Sequence, residues 1–268
     1  MKGLELTKED LIKCENAIME SIVRMVEMSN SSGAVIALSG GVDSSLVATL
    51  ASRVVDVYGL ILPDPNSNNP EDAEHAKDLA KQLGIDYEVI EIGGIVEAIY
   101  QYRPKLGPKE CKMAYANVKP RVRMIMNYFA ANLDGRIVLG TGNKTECLMG
   151  YFTKYGDGGV DILPIADLYK TRVWQMARHA GVPEVIVNKA PSAGLWKGQT
   201  DEAEMGITYK DLDQILYGTF DLGLTLEELK AHVKADDATY EKVMTRIKNM
   251  GHKLAMPPVV DLSTVISR

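Results

Sequence analysis

One stretch near the start of the chain combines the residue types that bind phosphate groups. It lies between two apolar runs, 34–37 and 46–51, which predict a buried strand followed by a helix. Its residues, in order, are Leu38, Ser39, Gly40, Gly41, Val42, Asp43, Ser44 and Ser45. At a glycine turn of this kind, backbone N–H groups and serine hydroxyls point outward over the positive end of the helix. We therefore expect a phosphate site at residues 38–45.

Asp43 indicates that a cation takes part in this site. Its carboxylate would repel a polyphosphate unless a cation lay between them, and Mg²⁺ commonly bridges carboxylate and phosphate oxygens. The alternative is that Asp43 only complements the helix dipole, an effect of about 0.3–1 kcal/mol. No lysine precedes Ser44, so the loop is not the type that holds the β- and γ-phosphates for terminal phosphoryl transfer.

A second stretch repeats the same arrangement further along the chain. The apolar run 137–139 predicts a strand, and a glycine turn follows it with Thr141 and Asn143 before Glu146. Carboxylates from two strand ends, Asp43 and Glu146, are suited to share one Mg²⁺, which usually takes one or two protein carboxylates. The alternative is that Thr141 and Asn143 are helix caps and Glu146 is an ordinary first-turn acid.

Three further stretches carry candidate ligand groups. Segment 150–161 mixes aromatic rings, glycines, lysines and acids without a period, which is typical either of a recognition loop or of a surface loop whose rings pack inward. Arg121 and Arg123 lie on a predicted helix, in which each residue turns the chain by about 100°. Being two positions apart, they face nearly opposite sides, so they are not expected to bind the same anion. Segment 103–114 is rich in lysine, glycine and proline, and is either a mobile flap over the phosphates or a solvated loop.

Composition limits the class of protein and its partners. The 268 residues are 46% hydrophobic, enough for the large core of one α/β domain. No apolar run is long enough to span a bilayer and the first residues do not form a signal peptide, so we expect a cytoplasmic protein without a membrane partner. The net charge of −6 argues against a nucleic-acid partner. The three cysteines lack metal-binding spacing and are expected to be reduced thiols.

The order of the predicted elements indicates a doubly wound, mostly parallel sheet covered by helices on both faces. An amphipathic helix opens the chain. The predicted strands cover residues 34–37, 55–62, 85–92 and 137–139. The predicted helices of this α/β part cover residues 69–83, 94–102, 117–133 and 169–180. From about residue 208, amphipathic patterns predict a C-terminal helical cap, with helices over 209–217, 226–233 and 239–250.

The motifs together resemble a known family. The loop 38–45 is similar to the SGGxDS loop of the ATP pyrophosphatases, which use ATP to adenylylate an oxygen and release pyrophosphate. That loop is followed in this chain by NVKPRVRM, GTGNKTE, GYFTKYGDGGVD, PIADLYK, PSAGLWKGQTDEAEMG and HK, in the order of the similar motifs of ammonia-dependent NAD synthetases. Many members of that family have threonine at the position of Ser192, and others differ at Gly142 and Asn143. The resemblance spans nearly the whole chain. It implies a Rossmann-like fold of the adenine nucleotide alpha hydrolase type, with residues 1–268 as a single NAD synthetase domain.

The reaction that the resemblance implies is ATP-dependent amidation of deamido-NAD, the dinucleotide that bears nicotinic acid. The nicotinate carboxylate would attack the α-phosphorus of ATP to give an adenylate and pyrophosphate, and ammonia would then displace AMP to give NAD. This is the last step of NAD biosynthesis. The chain has no room for an amidase domain, so we expect free ammonia or a separate subunit as the source. Relatives are homodimers, which the apolar faces at both chain ends would fit.

The resemblance also implies roles for individual residues. The ATP positions are residues 38–45, Thr141, Lys170 and Ser192. The deamido-NAD positions are Arg121, Tyr151, Lys154, Asp157, Asp161, His252 and Lys253, with Tyr151 and Asp157 near the nicotinate. Asp43 and Glu146 are the implied Mg²⁺ ligands. Asp43, Lys170 and Asp157 are the implied catalytic residues, and Asp157 is suited to bind ammonium and accept its proton.

Two other functions remain as alternatives. One is an ATP pyrophosphatase that amidates a different substrate or thiolates tRNA, although the acidic balance and the lack of paired cysteines disfavour thiolation. The other is a nucleotide-sensing module that binds ATP without turnover. Formation of AMP together with NAD distinguishes the synthetase from both.

Overall fold

The computed structural model describes residues 2–66, 69–102, 111–196, 198–233, 235–262 and 265. The strands are β1 (Ala34–Ala37), β2 (Val57–Ile61), β3 (Asp86–Val89) and β4 (Ile137–Leu139). The first helices are α1 (Lys8–Met28), α2 (Val42–Ala51), α3 (Pro70–Leu83), α4 (Gly93–Tyr100), α5 (Lys112–Ala116), α6 (Val118–Asp134) and α7 (Lys144–Met149). The later helices are α8 (Lys170–Ala180), α9 (Glu184–Val187), α10 (Asp201–Met205), α11 (Tyr209–Phe220), α12 (Leu226–Lys230) and α13 (Asp237–Met250). Short 3₁₀ turns cover Lys2–Leu4 and Gly251–Lys253.

The sheet has the order β3-β2-β1-β4, and every strand pair is parallel. Ala34 of β1 pairs with Val57 of β2 on one side and with Ile137 of β4 on the other. The chain therefore winds away from β1 in one direction through β2 and β3, and in the other direction at β4. In sheets of this type, ligands bind outside the carboxyl ends of the strands where the winding reverses. That point is the carboxyl edge of β1 and β4.

Alternating residues of β1 pack against helices on opposite faces of the sheet. Ala34 and Ile36 belong to the core formed with α1, α2, α3 and α8, whereas Val35 belongs to the core formed with α4 and α6. This confirms the doubly wound α/β class expected from the sequence. A third core joins α7 to the C-terminal helices around Tyr169 and Tyr209. It packs the C-terminal helices against α7 and α8.

Several element bounds differ from those the sequence predicts. β2 ends at Ile61, two residues before Pro63, which has no N–H to donate to a neighbouring strand. The segment 103–114 was expected to be irregular, but α5 begins within it at Lys112. The remainder of that proposed flap, 103–110, lies outside the described residues.

Within the described ranges, no helix has both the length and the apolar character needed to cross a membrane.

Candidate active site

The phosphate loop is folded by its own serines and by one glycine. Gly40 has a φ of +72°, and a Cβ there would lie 2.1 Å from the carbonyl oxygen of Asp72. Only glycine fits a left-handed position with so close an approach. The Gly41 N–H donates to Ser39 Oγ at 3.2 Å, and Ser44 Oγ donates to the Gly41 carbonyl at 3.1 Å. The tight turn after β1 is thus specified by residues within the loop.

The loop leaves backbone donors available where an anion would bind. Gly41 is the N-cap of α2 and has no side chain to cap it, so among the described residues no N-cap side chain accepts from the first N–H groups of this helix. Ser45 Oγ is buried and has no hydrogen-bond partner among the described residues. Leu38 and Val42 are buried in the core, so their side chains are not available to a ligand. A ligand here would meet mainly backbone N–H groups.

Glu146 is positioned by the N-terminus of α7. Asn143 Oδ1 accepts from the Glu146 N–H at 3.0 Å, and Glu146 Oε2 accepts from the Asn143 N–H at 3.1 Å, which is a capping box. The side chain of Asn143 also donates from Nδ2 to Asp43 Oδ1 at 2.9 Å. One buried asparagine therefore joins the ends of β1 and β4. The sequence resemblance assigned no role to Asn143.

The ammonium of Lys170 lies between the two predicted metal ligands. Its Nζ contacts Asp43 Oδ2 and lies 3.9 Å from Glu146 Oε1. The lysine side chain is 2% exposed. Its Nζ also lies 5.4 Å from the centre of the Tyr209 ring. Carboxylates that are about 100 residues apart in sequence thus converge on one cation at the carboxyl edge of the sheet.

The electrostatics of this cluster follow from burial and from mutual contact. Desolvation of the carboxyl group, with the nearby charge of Asp43, raises the pKa of Glu146 to about 8. Burial acts to lower the pKa of Lys170, but the carboxylates of Asp43 and Glu146 outweigh it and raise that pKa above its usual value. The cluster contains one ammonium group, that of Lys170, and two carboxyl groups, those of Asp43 and Glu146. A further cation or a more polar ligand would favour the ionised form of Glu146.

The donor set fits Mg²⁺ together with a phosphate ligand. Within the part of the chain that the structure describes, no group of three or more histidines, cysteines and acids is arranged to hold a metal by itself. Mg²⁺ typically keeps several waters and takes one or two carboxylates plus substrate phosphate oxygens. Asp43 and Glu146 supply two such carboxylates beside the uncapped end of α2.

The other predicted ATP residues, Thr141 and Ser192, lie on two different loops. Thr141 is half-buried in the turn directly after β4. Ser192 is exposed, and its Oγ accepts from the Gly194 N–H at 3.2 Å. The segment around Ser192 is held by Asp201 Oδ1, which accepts from the Ala193 N–H at 3.0 Å. Ser192 thus lies on a loop anchored to α10.

Tyr151 contacts two acids, the buried Asp201 and the exposed Glu204. Its hydroxyl has one hydrogen to donate and lies 2.8 Å from Glu204 Oε2 and 3.2 Å from Asp201 Oδ1. Tyr209 donates to the other oxygen of Asp201 at 3.0 Å, and the ring of Tyr209 faces Lys170. Burial, followed by the charge of Asp201, raises the pKa of Tyr151 far above its usual range. The predicted nicotinate side of the site is therefore linked to the Lys170 side through Asp201 and Tyr209.

Four of the predicted substrate residues form one interlocked group. Lys253 Nζ donates to the carbonyl oxygens of Gly150 and Phe152, each at 2.8 Å. Lys154 Nζ donates to the His252 carbonyl oxygen at 2.8 Å, and Arg121 Nη2 donates to the Lys154 carbonyl oxygen at 3.3 Å. The structure thus brings Arg121, Lys154, His252 and Lys253 together around the loop after α7. The cationic groups of the two lysines here bond to backbone carbonyls.

Asp157 and Asp161 have different surroundings. Asp157 keeps solvent-accessible surface, but protein atoms crowd its carboxyl group and the resulting desolvation raises its pKa, while the Thr153 N–H donates to it at 2.9 Å. Asp161 uses both oxygens within the fold, accepting from Tyr128 Oη at 2.9 Å and from the Val138 N–H at 2.7 Å. Asp161 therefore holds the outer edge of β4.

Sequence reasoning missed the role of Lys119. Its Nζ lies 2.8 Å from Asp64 Oδ2 in a buried ion pair, and it donates to the Leu195 carbonyl oxygen at 2.8 Å. Lys119 therefore ties the end of β2 to the loop that carries Ser192. The neighbouring Arg123 is also turned inward, and its Nε donates to the Leu62 carbonyl oxygen at 3.0 Å. A lysine just before a proline at a helix start gave no signal beyond an ordinary solvated charge.

Comparison with known proteins gives one consistent family. The model of the NAD synthase family matches residues 14–257. An NH₃-dependent NAD(+) synthetase from Archaeoglobus fulgidus is 46% identical over 250 residues, covering 92% of this chain and 96% of the relative.

Two solved structures have the same overall architecture. An NMN synthetase from Francisella tularensis has a TM-score of 0.82 at 33% identity, covering 95% of this chain and 99% of that one. An NH₃-dependent NAD synthetase from Campylobacter jejuni has a TM-score of 0.79 at 28% identity, covering 94% and 99%. Since the family model spans most of the chain and similar relatives cover nearly all of it, the chain belongs to the NAD synthase family.

Proposed function

We propose that the chain catalyses the reaction named for its relatives, the amidation of deamido-NAD to NAD. It is a ligase that forms a C–N bond, consumes ATP and ammonia and releases AMP and pyrophosphate in the last step of NAD biosynthesis. The observation that carries the proposal is the convergence of Asp43 and Glu146 on the Lys170 ammonium. This cluster lies where the winding of the sheet reverses and beside the uncapped start of α2.

In the first half of the reaction, the chain binds ATP and stabilises the departing pyrophosphate. The N–H groups at the start of α2 are proposed to hold phosphate oxygens, with Thr141 and Ser192 beside the nucleotide. Lys170 is proposed to offset the negative charge that develops on the pyrophosphate, which is where stabilisation has the largest effect. Asp43 and Glu146 would hold Mg²⁺, which when bound supplies further neutralisation of phosphate charge.

In the second half, the chain positions the nicotinate and delivers ammonia. Tyr151 is proposed to lie against the nicotinate, with Arg121, Lys154, His252 and Lys253 as contacts of the dinucleotide. Ammonia is itself the nucleophile, so no activated serine or cysteine is required. Asp157 is proposed to bind ammonium and accept its proton, since its raised pKa makes it a stronger base than an ordinary aspartate.

One proposed substrate contact, Asp161, already makes hydrogen bonds within the fold. Asp161 also matches a deamido-NAD position, but both of its carboxylate oxygens accept hydrogen bonds from Tyr128 and Val138. A substrate donor would have to share those oxygens. We keep Asp161 as a proposed contact on the strength of the motif.

We further propose that the protein is a homodimer that pairs through α6. Ile125, Phe129 and Leu133 recur every four residues along this helix and are 56%, 60% and 68% exposed. Residues spaced in this way share one helix face, and an apolar stripe in water is typical of an interaction surface. The sequence suggested the chain ends instead. A single domain and a cytoplasmic location, where ATP is available and thiols stay reduced, complete the proposal.

The test is incubation of the protein with ATP, Mg²⁺, deamido-NAD and ammonium. We expect AMP and NAD to appear in equal amounts, and neither to form when deamido-NAD is left out. ATP binding without AMP formation would favour a nucleotide-sensing module instead.

A second candidate substrate follows from one structural comparison. The Francisella tularensis protein, named an NMN synthetase, covers 95% of this chain. The corresponding substrate here would be the mononucleotide that bears nicotinic acid. A larger kcat/KM for that mononucleotide than for deamido-NAD, measured under the same conditions, would favour this candidate.

A further inference from the structure

The N-terminus of α8, which carries Lys170, has no cap of its own. The first N–H groups of a helix need acceptors, which usually come from the N-cap side chain. Tyr169 holds that position and makes no side-chain cap hydrogen bond. Instead, the Lys170 N–H donates to Thr145 Oγ1 at 2.9 Å, and the Thr171 N–H donates to Asp213 Oδ2 at 2.7 Å. Residues of α7 and α11 therefore cap this helix.

Thr145 and Asp213 are themselves joined. Thr145 Oγ1 donates its one hydrogen to Asp213 Oδ1 at 2.6 Å while it accepts from the Lys170 N–H. The buried carboxylate of Asp213 thus bonds to the first turn of α7 and the first turn of α8. Thr145 directly precedes Glu146, and Lys170 is the first residue of α8. The two functional side chains are therefore fixed relative to each other through Asp213.

The burial of Asp213 is more than a helix cap requires. Asp213 is 0% exposed, and the effective cost of burying a carboxylate is several times larger than the stabilisation that a helix cap contributes. The start of the same helix shows the ordinary solution, where the half-buried Asp211 accepts from Thr208 Oγ1 at 2.7 Å at the surface. A buried charge at the junction of three helices is better explained by a need for fixed geometry.

We propose that Asp213 is a positioning residue of the active site, which holds Lys170 at the distance from Asp43 and Glu146 that the reaction requires. This inference rests on the proposed function. Asp213 acts through Thr145 and the backbone of α8 and touches no substrate. Because a misplacement of about 1 Å can reduce a rate by about a hundredfold, loss of this restraint should lower the chemical rate.

The experiment compares four single variants, and the double variant Asp213→Asn with Thr145→Val, with the wild-type protein. Asp213→Asn keeps the size of the side chain but replaces one of the two acceptor oxygens with a donor group, so the side chain can no longer accept on both sides from Thr145 and Thr171. Thr145→Val has nearly the same shape and removes the hydroxyl that joins Asp213 to the Lys170 N–H, whereas Thr145→Ser keeps that hydroxyl. Asp211→Asn is the matched control, since it makes the same substitution in the exposed threonine pair of the same helix. Each variant is assayed for AMP formation at saturating deamido-NAD and ammonium, well below its own melting temperature.

Asp213→Asn and Thr145→Val are expected to lower kcat by at least about tenfold while the KM for ATP changes by less than about threefold. The double variant should be no slower than the slower single variant, since the two residues act as one unit. Thr145→Ser should recover most of the rate lost in Thr145→Val. Asp211→Asn should keep the wild-type kcat. If Asp213→Asn does not fold, the two Thr145 variants alone carry the test.

A lower melting temperature with an unchanged kcat in Thr145→Val or Asp213→Asn would overturn the proposal, since the contact would then be purely structural. An equal loss of kcat in Asp211→Asn would overturn it too. Failure of the proposed function would look different, because the wild-type protein itself would then form no AMP from ATP and deamido-NAD.

Discussion

Replacing Lys170 by methionine tests the electrostatics of the site. Methionine keeps an unbranched apolar side chain and removes the ammonium, so the packing of a side chain that is 2% exposed is largely preserved. The change leaves Asp43 and Glu146 beside one another without the cation that both contact.

The distance between Lys170 and Glu146 sets the size of the effect. At 3.9 Å, and with an effective dielectric constant of about 20, two unit charges interact by about 4 kcal/mol. Removing one partner of a buried ion pair typically costs about 3–5 kcal/mol. Burial and the charge of Asp43 raise the pKa of Glu146 to about 8, so most Glu146 side chains carry a proton at neutral pH and the full interaction with Lys170 is lost in only a fraction of the molecules. We therefore expect a loss near the lower end, about 3 kcal/mol.

The assay is urea unfolding in the presence of a chelator, together with steady-state kinetics. Lys144→Met is the matched control, since Lys144 pairs near the surface with Asp167 and Asp221, at 3.1 and 3.0 Å. Such pairs contribute about 1 kcal/mol or less. We also expect Lys170→Met to lower kcat by at least about a hundredfold, as loss of a charge-stabilising group does in other enzymes. A Lys170→Met protein with wild-type stability and kcat would refute the reasoning.

Three further predictions concern the substrate, the loop and the assembly. Asp157→Asn should raise the KM for ammonium by at least about tenfold in initial-rate assays while ATP binding stays unchanged, and an unaltered KM would remove its proposed role. Gly40→Ala should cost about 2 kcal/mol or more in urea unfolding, since it combines a φ of +72° with a Cβ that would lie 2.1 Å from a backbone oxygen, and unchanged stability would contradict this geometry. Phe129→Asp should give a folded monomer by light scattering, and a dimer of unchanged stability would place the interface elsewhere.

Local patterns predicted most of the elements that surround the site. The turn after β1 and the turn after β4 each join an apolar run to a glycine turn and an acidic helix start, so both ends of the site were readable from short stretches. The order of the strands follows from the same alternation of strands and helices. The ends of elements were predicted least exactly, because they depend on single backbone contacts. β2 ends two residues before Pro63, and α5 begins at Lys112 within a segment expected to be irregular.

Contacts between distant parts of the chain were not readable in this way. Asn143 belongs to a capping box that the sequence shows, but its bond to Asp43 joins residues 100 positions apart. Asp213 lies in an amphipathic helix and has no local signal that it caps α8. Lys119 and Arg123 follow the pattern of a solvated helix face, yet both turn inward to the end of β2. These positions are set by tertiary packing, which no short window of sequence contains.

The most direct test of the account is the transfer of oxygen from the nicotinate carboxylate to AMP. Deamido-NAD labelled with ¹⁸O in that carboxylate is incubated with the wild-type protein, ATP, Mg²⁺ and ammonium, and the AMP is analysed by mass spectrometry. An adenylate intermediate requires each AMP to carry one carboxylate oxygen, so labelled AMP is the predicted result. AMP that forms together with NAD but carries no ¹⁸O would contradict the proposed attack of the carboxylate on ATP.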